Sequence, residues 1–348
     1  MIRRDFKEDL SKLNIKKEIP EKKKKEKEFE PLKRILIIGP DYPERCHFSE
    51  NIYDLWSQME GYEVKILGDN KLPVKPIHLE KGLELHVSNL LEKDWKPQLI
   101  IIDQISLEFT NLQPIPVFYH HREFKRIPTV HFPTVVYFWH KDIIEYYEKR
   151  FVKKWMAQVP YKEVMGIPYN PTLYKPEDKI YKGVNGIGFR EDPIDCLEDI
   201  DIFEAGPITI LQQELDVFKA LGFNVFDTPI TDEQYREYLP KCEALWIPLS
   251  IRQYISRRMI EAMGCKTLCV IKLENKRHEK ILQKMGFING THYLGVKRLE
   301  DIKEAYNKLK NKKEMIEKAY NVVINNHTYQ NRIEQIIKKY EEITNKNL

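Results

Sequence analysis

A cluster of basic residues around residue 256 has the composition of an anion-binding site. Ser256 is a good helix N-cap residue, and Arg257 and Arg258 follow it directly. The first turn of a helix offers unpaired N–H groups and the positive end of the helix dipole, which suit a diphosphate. Glu261 lies four residues after Arg257, so both side chains share one helix face and can line one site. A surface ion pair between the two is the alternative.

A second candidate for phosphate binding is the segment 185–190. Gly188 allows a close approach of the backbone to a ligand, and Arg190 is available to bind phosphate. Two glycines after a predicted strand are equally consistent with an ordinary turn.

Three residues are candidates for acid–base chemistry: Asp41, His120 and His121. Each is expected just beyond the carboxyl end of a predicted strand, which is where open α/β sheets bind ligands. His120 and His121 are adjacent, so only one of them is expected to face a site. A structural role for each histidine is the alternative.

The pair Asp199 and Asp201 resembles a metal-binding Asp-x-Asp, but it lies in an acidic stretch that also fits a solvated loop. The five cysteines are odd in number and lack the paired spacing of a zinc site, so we expect free thiols in a reducing compartment. No metal site is predicted.

Alternating strands and helices must position these residues. Residues 34–39 form a continuous apolar run that ends at a glycine, which predicts a buried parallel strand. Residues 51–59 have helical apolar spacing, and residues 62–67 are the next predicted strand, so together the three segments form a βαβ unit. There is no Gly-x-Gly-x-x-Gly, which disfavours a dinucleotide site.

The same pattern continues along the chain. Further strands are predicted at 99–103, 116–119, 135–139, 184–189, 224–227, 244–247 and 267–271. Further helices are predicted at 211–220, 232–239, 256–263, 299–323 and 328–340. The proline-rich stretch 167–176 predicts an interdomain connection.

Length and charge fit this plan. A chain of 348 residues is comfortable for two domains, and its net charge of +4 is small. Much of the basic excess precedes residue 31, including the run 22–25, which predicts a solvated tail or an electrostatic arm for nucleic acid or acidic lipid. The start of the chain is charged and its apolar runs are short, so we expect a cytoplasmic protein without stable membrane insertion.

Two motifs in the second half resemble a known family. The run 255–265 with the strand after it, and the later His327-Thr-Tyr-Gln-Asn-Arg332, resemble GT-B glycosyltransferases of the group-1-like branch that includes the CgeB spore-maturation type. The resemblance covers residues 233–337 well and the first half only in its organisation. This sequence has Lys266 where the family usually has glycine, and Gln253 where many members have glutamate.

The resemblance implies two Rossmann-like domains that face each other across a cleft, closed by a C-terminal helix. The boundaries it suggests are a basic tail at 1–33, an acceptor domain at 34–175, a donor domain at 176–326 and the closing helix at 327–348.

The activity it implies is metal-independent transfer of a sugar, without a cofactor, from a UDP- or GDP-linked donor to an unidentified glycan, protein, lipid or modified DNA. Glu261 would then accept hydrogen bonds from the ribose hydroxyls. The candidate donor-binding residues are Gly188, Arg190, Gln253, Ser256, Arg257 and Glu261. A non-catalytic nucleotide-sugar-binding module, a DNA-modifying glycosyltransferase and a sugar-nucleotide epimerase are the alternatives.

Overall fold

The structure is a computed structural model of the whole chain. The residues described here are 31–39, 48–68, 77–79, 95–103, 109–111, 115–121, 130–131, 133–138, 153–179, 181–184, 232–248, 257–273 and 276–346, with isolated positions between 141 and 148 and at 216 and 220.

The N-terminal lobe is built on a six-stranded parallel sheet with the order β2-β1-β4-β6-β8-β9. Its strands are β1 (Arg34–Gly39), β2 (Glu63–Gly68), β4 (Leu99–Asp103), β6 (Val117–His121), β8 (Val135–Phe138) and β9 (Tyr161–Val164). The strands β4, β6 and β8 are buried along their whole length. A parallel sheet covered on both faces needs such continuous apolar runs, which is why these strands do not alternate in polarity.

A smaller parallel sheet pairs three short strands in the order β3-β5-β7. They are β3 (Ile77–Leu79), β5 (Phe109–Asn111) and β7 (Val130–His131).

The C-terminal lobe contains a four-stranded parallel sheet with the order β10-β11-β12-β13. Its strands are β10 (Tyr181–Val184), β11 (Cys242–Pro248), β12 (Leu268–Lys272) and β13 (Leu294–Val296). The described helices of the chain are α1 (Phe48–Trp56), α2 (Lys153–Met156), α3 (Asp232–Tyr238), α4 (Arg257–Gly264), α5 (Lys276–Lys284), α6 (Ile302–Lys308), α7 (Lys312–Asn326) and α8 (Tyr329–Lys346).

Two segments in the described part of the chain pass between the lobes. Residues 165–176, called the crossover segment here, lead from β9 toward the C-terminal lobe, and their side chains Ile167, Tyr169 and Tyr174 belong to its core. The second passage follows α7, where Thr328 forms a parallel β-bridge with Tyr169. The two passages therefore lie side by side and share backbone hydrogen bonds.

The last helix returns to the first lobe. Ile333 and Ile336 of α8 are fully buried in the same core as Ile35 of β1 and Trp56 of α1. Leu32 is also buried in this core, so the ordered packing of the N-terminal lobe begins before β1. The core of the N-terminal lobe is thus completed by the end of the chain.

Several element boundaries differ from the sequence prediction. His120 and His121 lie within β6 rather than beyond its end, because β6 pairs with β4 and β8 as far as these residues. The strand predicted at 184–189 begins earlier, at Tyr181. The helix predicted at 299–323 is two helices, α6 and α7. Strand β9 was missed because it is short and partly polar, and β13 because it is only three residues long.

Candidate functional site

Helix α4 lies where the sequence predicted it, between β11 and β12. Its first residue, Arg257, and its fifth, Glu261, form an ion pair in which Arg257 Nε donates to Glu261 Oε1 across 2.9 Å. The Glu261 side chain is only 4% exposed, whereas that of Arg257 is 24% exposed. The pair is therefore not a surface bridge, because its acid is inside the protein.

The second carboxylate oxygen of Glu261 lacks a partner. Oε2 is buried and accepts no hydrogen bond in the part of the chain that the structure describes. A buried polar atom without a hydrogen bond destabilises a fold, and a charged one does so more strongly. This oxygen therefore lacks the hydrogen bond that usually accompanies the burial of a polar atom.

The crossover segment packs against the end of α4. The Tyr169 hydroxyl lies within hydrogen-bond distance of two carbonyl oxygens, that of Tyr174 and, at 2.9 Å, that of Gly264. A β-carbon at Gly264 would lie 2.2 Å from Tyr169 Cε2, so the close approach requires glycine. Burial, chiefly, and the nearby Cys265, Tyr320 and Glu261 raise the pKa of Tyr169, so its hydroxyl stays protonated and keeps donating.

Lys266 occupies the turn between α4 and β12 in a left-handed conformation, with φ of 56°. Gly264 is not the left-handed residue of this turn, so the lysine itself adopts a backbone conformation that favours glycine. Its amine pairs with Glu317 Oε1 at 2.8 Å and lies 4.7 Å from the centre of the Tyr320 ring. These contacts with α7 offset part of the steric cost of the turn.

In the N-terminal lobe, Asp103 and His120 form a buried dyad at the carboxyl ends of β4 and β6. His120 Nδ1 lies 3.0 Å from Asp103 Oδ1, and the two side chains are 1% and 0% exposed. The backbone N–H of Ser49, in the first turn of α1, donates to Asp103 Oδ2 across 3.1 Å. The Phe48 ring stacks on the imidazole with ring centres 3.9 Å apart.

His121 lies on the opposite face of β6, because side chains alternate along a strand. Its Nδ1 lies 3.1 Å from the Tyr119 hydroxyl, and its ring is packed near Phe138 and Trp155. The two adjacent histidines therefore lie on opposite faces of the sheet, His120 beside Asp103 and His121 beside the Tyr119 hydroxyl.

A chain of contacts links the two groups through the crossover segment. Asn170 Nδ2 donates to Asn51 Oδ1 on α1, two residues after Ser49, and both asparagines are buried. Tyr169, the preceding residue, contacts Gly264 on α4. The crossover segment therefore contacts both α1, which carries Ser49, and α4, which carries Glu261.

The His327 motif joins the two lobes. The His327 ring lies between Arg332 and the C-terminal lobe, with Nδ1 3.2 Å from Arg332 Nη2 and Nε2 3.0 Å from the Met285 carbonyl. Its backbone carbonyl accepts from the Tyr169 N–H across 2.5 Å. Burial and the Arg332 charge lower the pKa of His327 to about 4, so the ring is neutral at physiological pH. His327 therefore connects helix α8 with the C-terminal lobe.

Several predicted residues lie outside the described part of the chain. They are Asp41, Gly188, Arg190, Gln253, Ser256, Asp199 and Asp201. Among the residues that are described, no group of three or more His, Cys, Asp or Glu side chains is arranged to hold a metal ion.

Sequence reasoning did not select Asp103, Ser49 or Tyr169. Asp103 was visible as an acid at the end of an apolar strand, but its partner depends on the register of β4 with β6, which places Asp103 beside His120. The contacts of Ser49 and Tyr169 join residues distant in sequence, so neither leaves a local motif.

Comparison with solved structures defines the fold. Sucrose-phosphate synthase from Thermosynechococcus elongatus matches with a TM-score of 0.52 at 12% identity, over 90% of this chain and 99% of that one. A glycosyltransferase from Rickettsia africae matches with a TM-score of 0.53 at 11% identity, over 90% of this chain and 99% of that one. HepE from Anabaena, in complex with UDP and glucose, matches with a TM-score of 0.50 at 10% identity, over 89% and 100%.

The chain therefore has the α/β fold with parallel sheets of GT-B glycosyltransferase structures, as predicted. In addition, residues 219–338 match the model of a family described as glycosyl transferase-like. That stretch runs from before α3 into α8 and contains α4. No match to the sequence was found among curated proteins. None of the helices described is long and apolar enough to cross a membrane.

Proposed function

We propose that this protein is a glycosyltransferase that uses a nucleotide-sugar donor. The observation that carries the proposal is Glu261, a buried carboxylate with one oxygen held by Arg257 and the other without a partner among the described residues. A ribose diol would supply the missing donor, as the family resemblance implies. The family match over residues 219–338 supports the same activity.

The donor diphosphate would be held at the start of α4. Arg257 and Arg258 carry positive charge there, and the first N–H groups of the helix have no partner within the helix. We propose that these groups neutralise the charge that develops on the leaving nucleotide, so that transfer needs neither a metal ion nor another cofactor. Ser256, Gln253, Gly188 and Arg190 remain proposed donor contacts.

His120 is the strongest candidate for the residue that activates the acceptor. It is bonded to a carboxylate at the carboxyl end of the sheet, whereas His121 is packed among aromatic rings on the other face. Asp41 remains a further candidate. The acceptor is proposed only as a hydroxyl-bearing glycan, protein, lipid or modified DNA, and the location as the cytoplasm.

Calorimetry with UDP, GDP, UDP-glucose and GDP-mannose tests the donor site. We expect one of them to bind, and Glu261→Gln to weaken binding at least tenfold, because a hydrogen bond to a charged group contributes about 1.5–3 kcal/mol. Glu314→Gln is the matched control, since Glu314 is a carboxylate in an exposed i,i+4 pair with Lys318, whereas Glu261 is in a buried one with Arg257. Equal affinities for the two variants would exclude Glu261 from the site.

Metal independence is tested separately. Donor turnover by the wild-type protein should persist in excess EDTA and should not rise when Mg²⁺ or Mn²⁺ is added. A loss of turnover that Mn²⁺ restores would show that a metal neutralises the diphosphate instead of the arginines.

A further inference from the structure

One part of the C-terminal lobe carries more net positive charge than the whole chain. Residues 276–313, which include α5, β13 and α6, contain eleven Lys or Arg and four Asp or Glu, a net charge of +7. The net charge of the chain is +4, so the remainder of the chain is net negative. A local excess of positive charge on an otherwise negative protein favours contact with a polyanion.

The lysines of α5 form a row along one side of the helix. Lys276, Lys280 and Lys284 are spaced four residues apart, so they share a helix face and span about 12 Å along its axis. All three side chains are exposed, and none forms an ion pair with a residue that the structure describes. Ile281 and Leu282 are buried on the opposite side of the helix, so the row of lysines faces solvent.

Acidic residues do little to neutralise this row. The sequence of α5 contains four basic residues and one acid, Glu279, and there is no further Asp or Glu before residue 300. Glu279 Oε1 accepts a hydrogen bond from Asn289 Nδ2 across 3.1 Å. The helix therefore keeps a net positive charge.

An exposed apolar side chain lies at the end of the row. Ile288 follows Lys284 by four residues and is 48% exposed, although the neighbouring Phe287 is fully buried. The turn holds Ile288 in this position, because its backbone N–H donates to His292 Nδ1 across 2.9 Å. An isoleucine exposed to water gains free energy when it enters an apolar phase.

We propose that Lys276, Lys280, Lys284 and Ile288, called the α5 face here, dock on a membrane surface that contains anionic lipids. Lysine ammonium groups on long, flexible stems can contact lipid phosphates without a fixed geometry. Ile288 favours a bilayer over a nucleic acid, because a bilayer has an apolar phase beneath its charged surface. The α5 face includes none of the proposed donor or acceptor residues, so this inference goes beyond the proposed function.

Cosedimentation of the full chain with lipid vesicles tests the docking. Phosphatidylcholine vesicles that contain phosphatidylglycerol should bind the protein, pure phosphatidylcholine vesicles should bind it much less, and NaCl should weaken the binding. Combining Lys280→Glu with Lys284→Glu should weaken binding about twentyfold or more, because the loss of each lysine alone costs about fivefold. Ile288→Ser should weaken binding without changing its dependence on salt.

Lys303→Glu combined with Lys310→Glu is the matched control. Both lysines are exposed, and the change of charge is the same as in the α5 variant. They belong to α6 and the turn after it, on the other side of the sheet. Helix α5 shares a core with Ile271 of β12, whereas α6 shares one with Val270, and adjacent residues of a strand face opposite sides.

The control variant should retain most of the binding to anionic vesicles, and far-UV circular dichroism should show that both variants keep the fold. Equal losses in the two variants, wild-type affinity in the α5 variant, or no binding of the wild type to the anionic vesicles would overturn the inference. Binding of duplex DNA that only the α5 variant loses, without binding of vesicles, would assign the α5 face to a nucleic acid instead. Donor binding is measured separately, so its presence or absence decides the proposed function alone.

Discussion

The ring of Tyr169 fills the space that a side chain at Gly264 would need, and its hydroxyl lies 2.9 Å from the Gly264 carbonyl oxygen. This contact holds the end of α4 against the crossover segment. Because α4 carries Arg257 and Glu261, the position of the candidate donor site depends on how closely these two residues approach.

Gly264→Ala should therefore destabilise the protein. The added methyl group would lie 2.2 Å from Tyr169 Cε2, and overpacking of this kind costs about 1–3 kcal/mol in the free energy of unfolding. Urea denaturation measures the loss. In a Tyr169→Leu background the same alanine should cost less, because the ring is gone, and strictly additive effects would show that the two residues do not interact.

Lys266 provides a test of backbone strain. With φ of 56°, the lysine is in a region that favours glycine. Lys266→Gly and Lys266→Ala both lose the contacts with Glu317 and Tyr320, but only alanine keeps the strain. We expect the glycine variant to be more stable than the alanine variant by about 1 kcal/mol in denaturant unfolding. If the alanine variant were as stable as the glycine variant or more stable, the backbone at residue 266 would not be strained.

The His327 contacts predict a loss of stability in acid. The pKa of His327 is lowered from 6.5 to about 4, so the unfolded chain binds a proton more readily than the folded one. The contribution of His327 is complete above about pH 6.5 and is lost as the pH falls toward 4, and it amounts to about 3 kcal/mol. Urea unfolding of the wild type across this range should show the decline.

His327→Gln supplies the comparison for that experiment. Glutamine does not titrate, so the variant should lose less stability than the wild type between about pH 6.5 and pH 4, even though it starts from a lower value. Parallel declines in the two proteins would assign the acid sensitivity to other groups.

Because α8 packs in the core of the N-terminal lobe, we expect substitutions in α8 to destabilise that lobe. Ile333 is fully buried in the core of the N-terminal lobe, whereas Ile337 is only partly buried at its edge. Ile333→Ala should cost about 2–5 kcal/mol, and Ile337→Ala clearly less. Hydrogen exchange should show that the amides of β6 lose protection in the Ile333 variant. Unchanged exchange in β6 would mean that α8 is not part of that core.

The strands of the N-terminal lobe could be predicted because burial on both faces demands continuous apolar runs. Residues 99–103 and 135–139 were therefore visible as strands, and the helical spacing from 256 to 263 predicted α4 to within one residue. Strand β9, Tyr161–Val164, was missed because it carries Lys162 and Glu163 at the edge of its sheet.

Only part of the candidate site could be predicted from the sequence. Arg257 and Glu261 are four apart on one helix, so their ion pair follows from spacing alone. The burial of Glu261 does not follow from the spacing, because it depends on which elements pack against α4. The Asp103–His120 bond depends on strand order, which no local pattern encodes.

The paired passages between the lobes have a mechanical consequence. Tyr169 and His327–Tyr329 exchange backbone hydrogen bonds, so the two connections form one narrow ribbon rather than two independent tethers. Closing the protein around a ligand would bend this ribbon as a single hinge, with α8 moving as part of the first lobe. Such a hinge restricts the lobes to a swinging motion and opposes their sliding past one another.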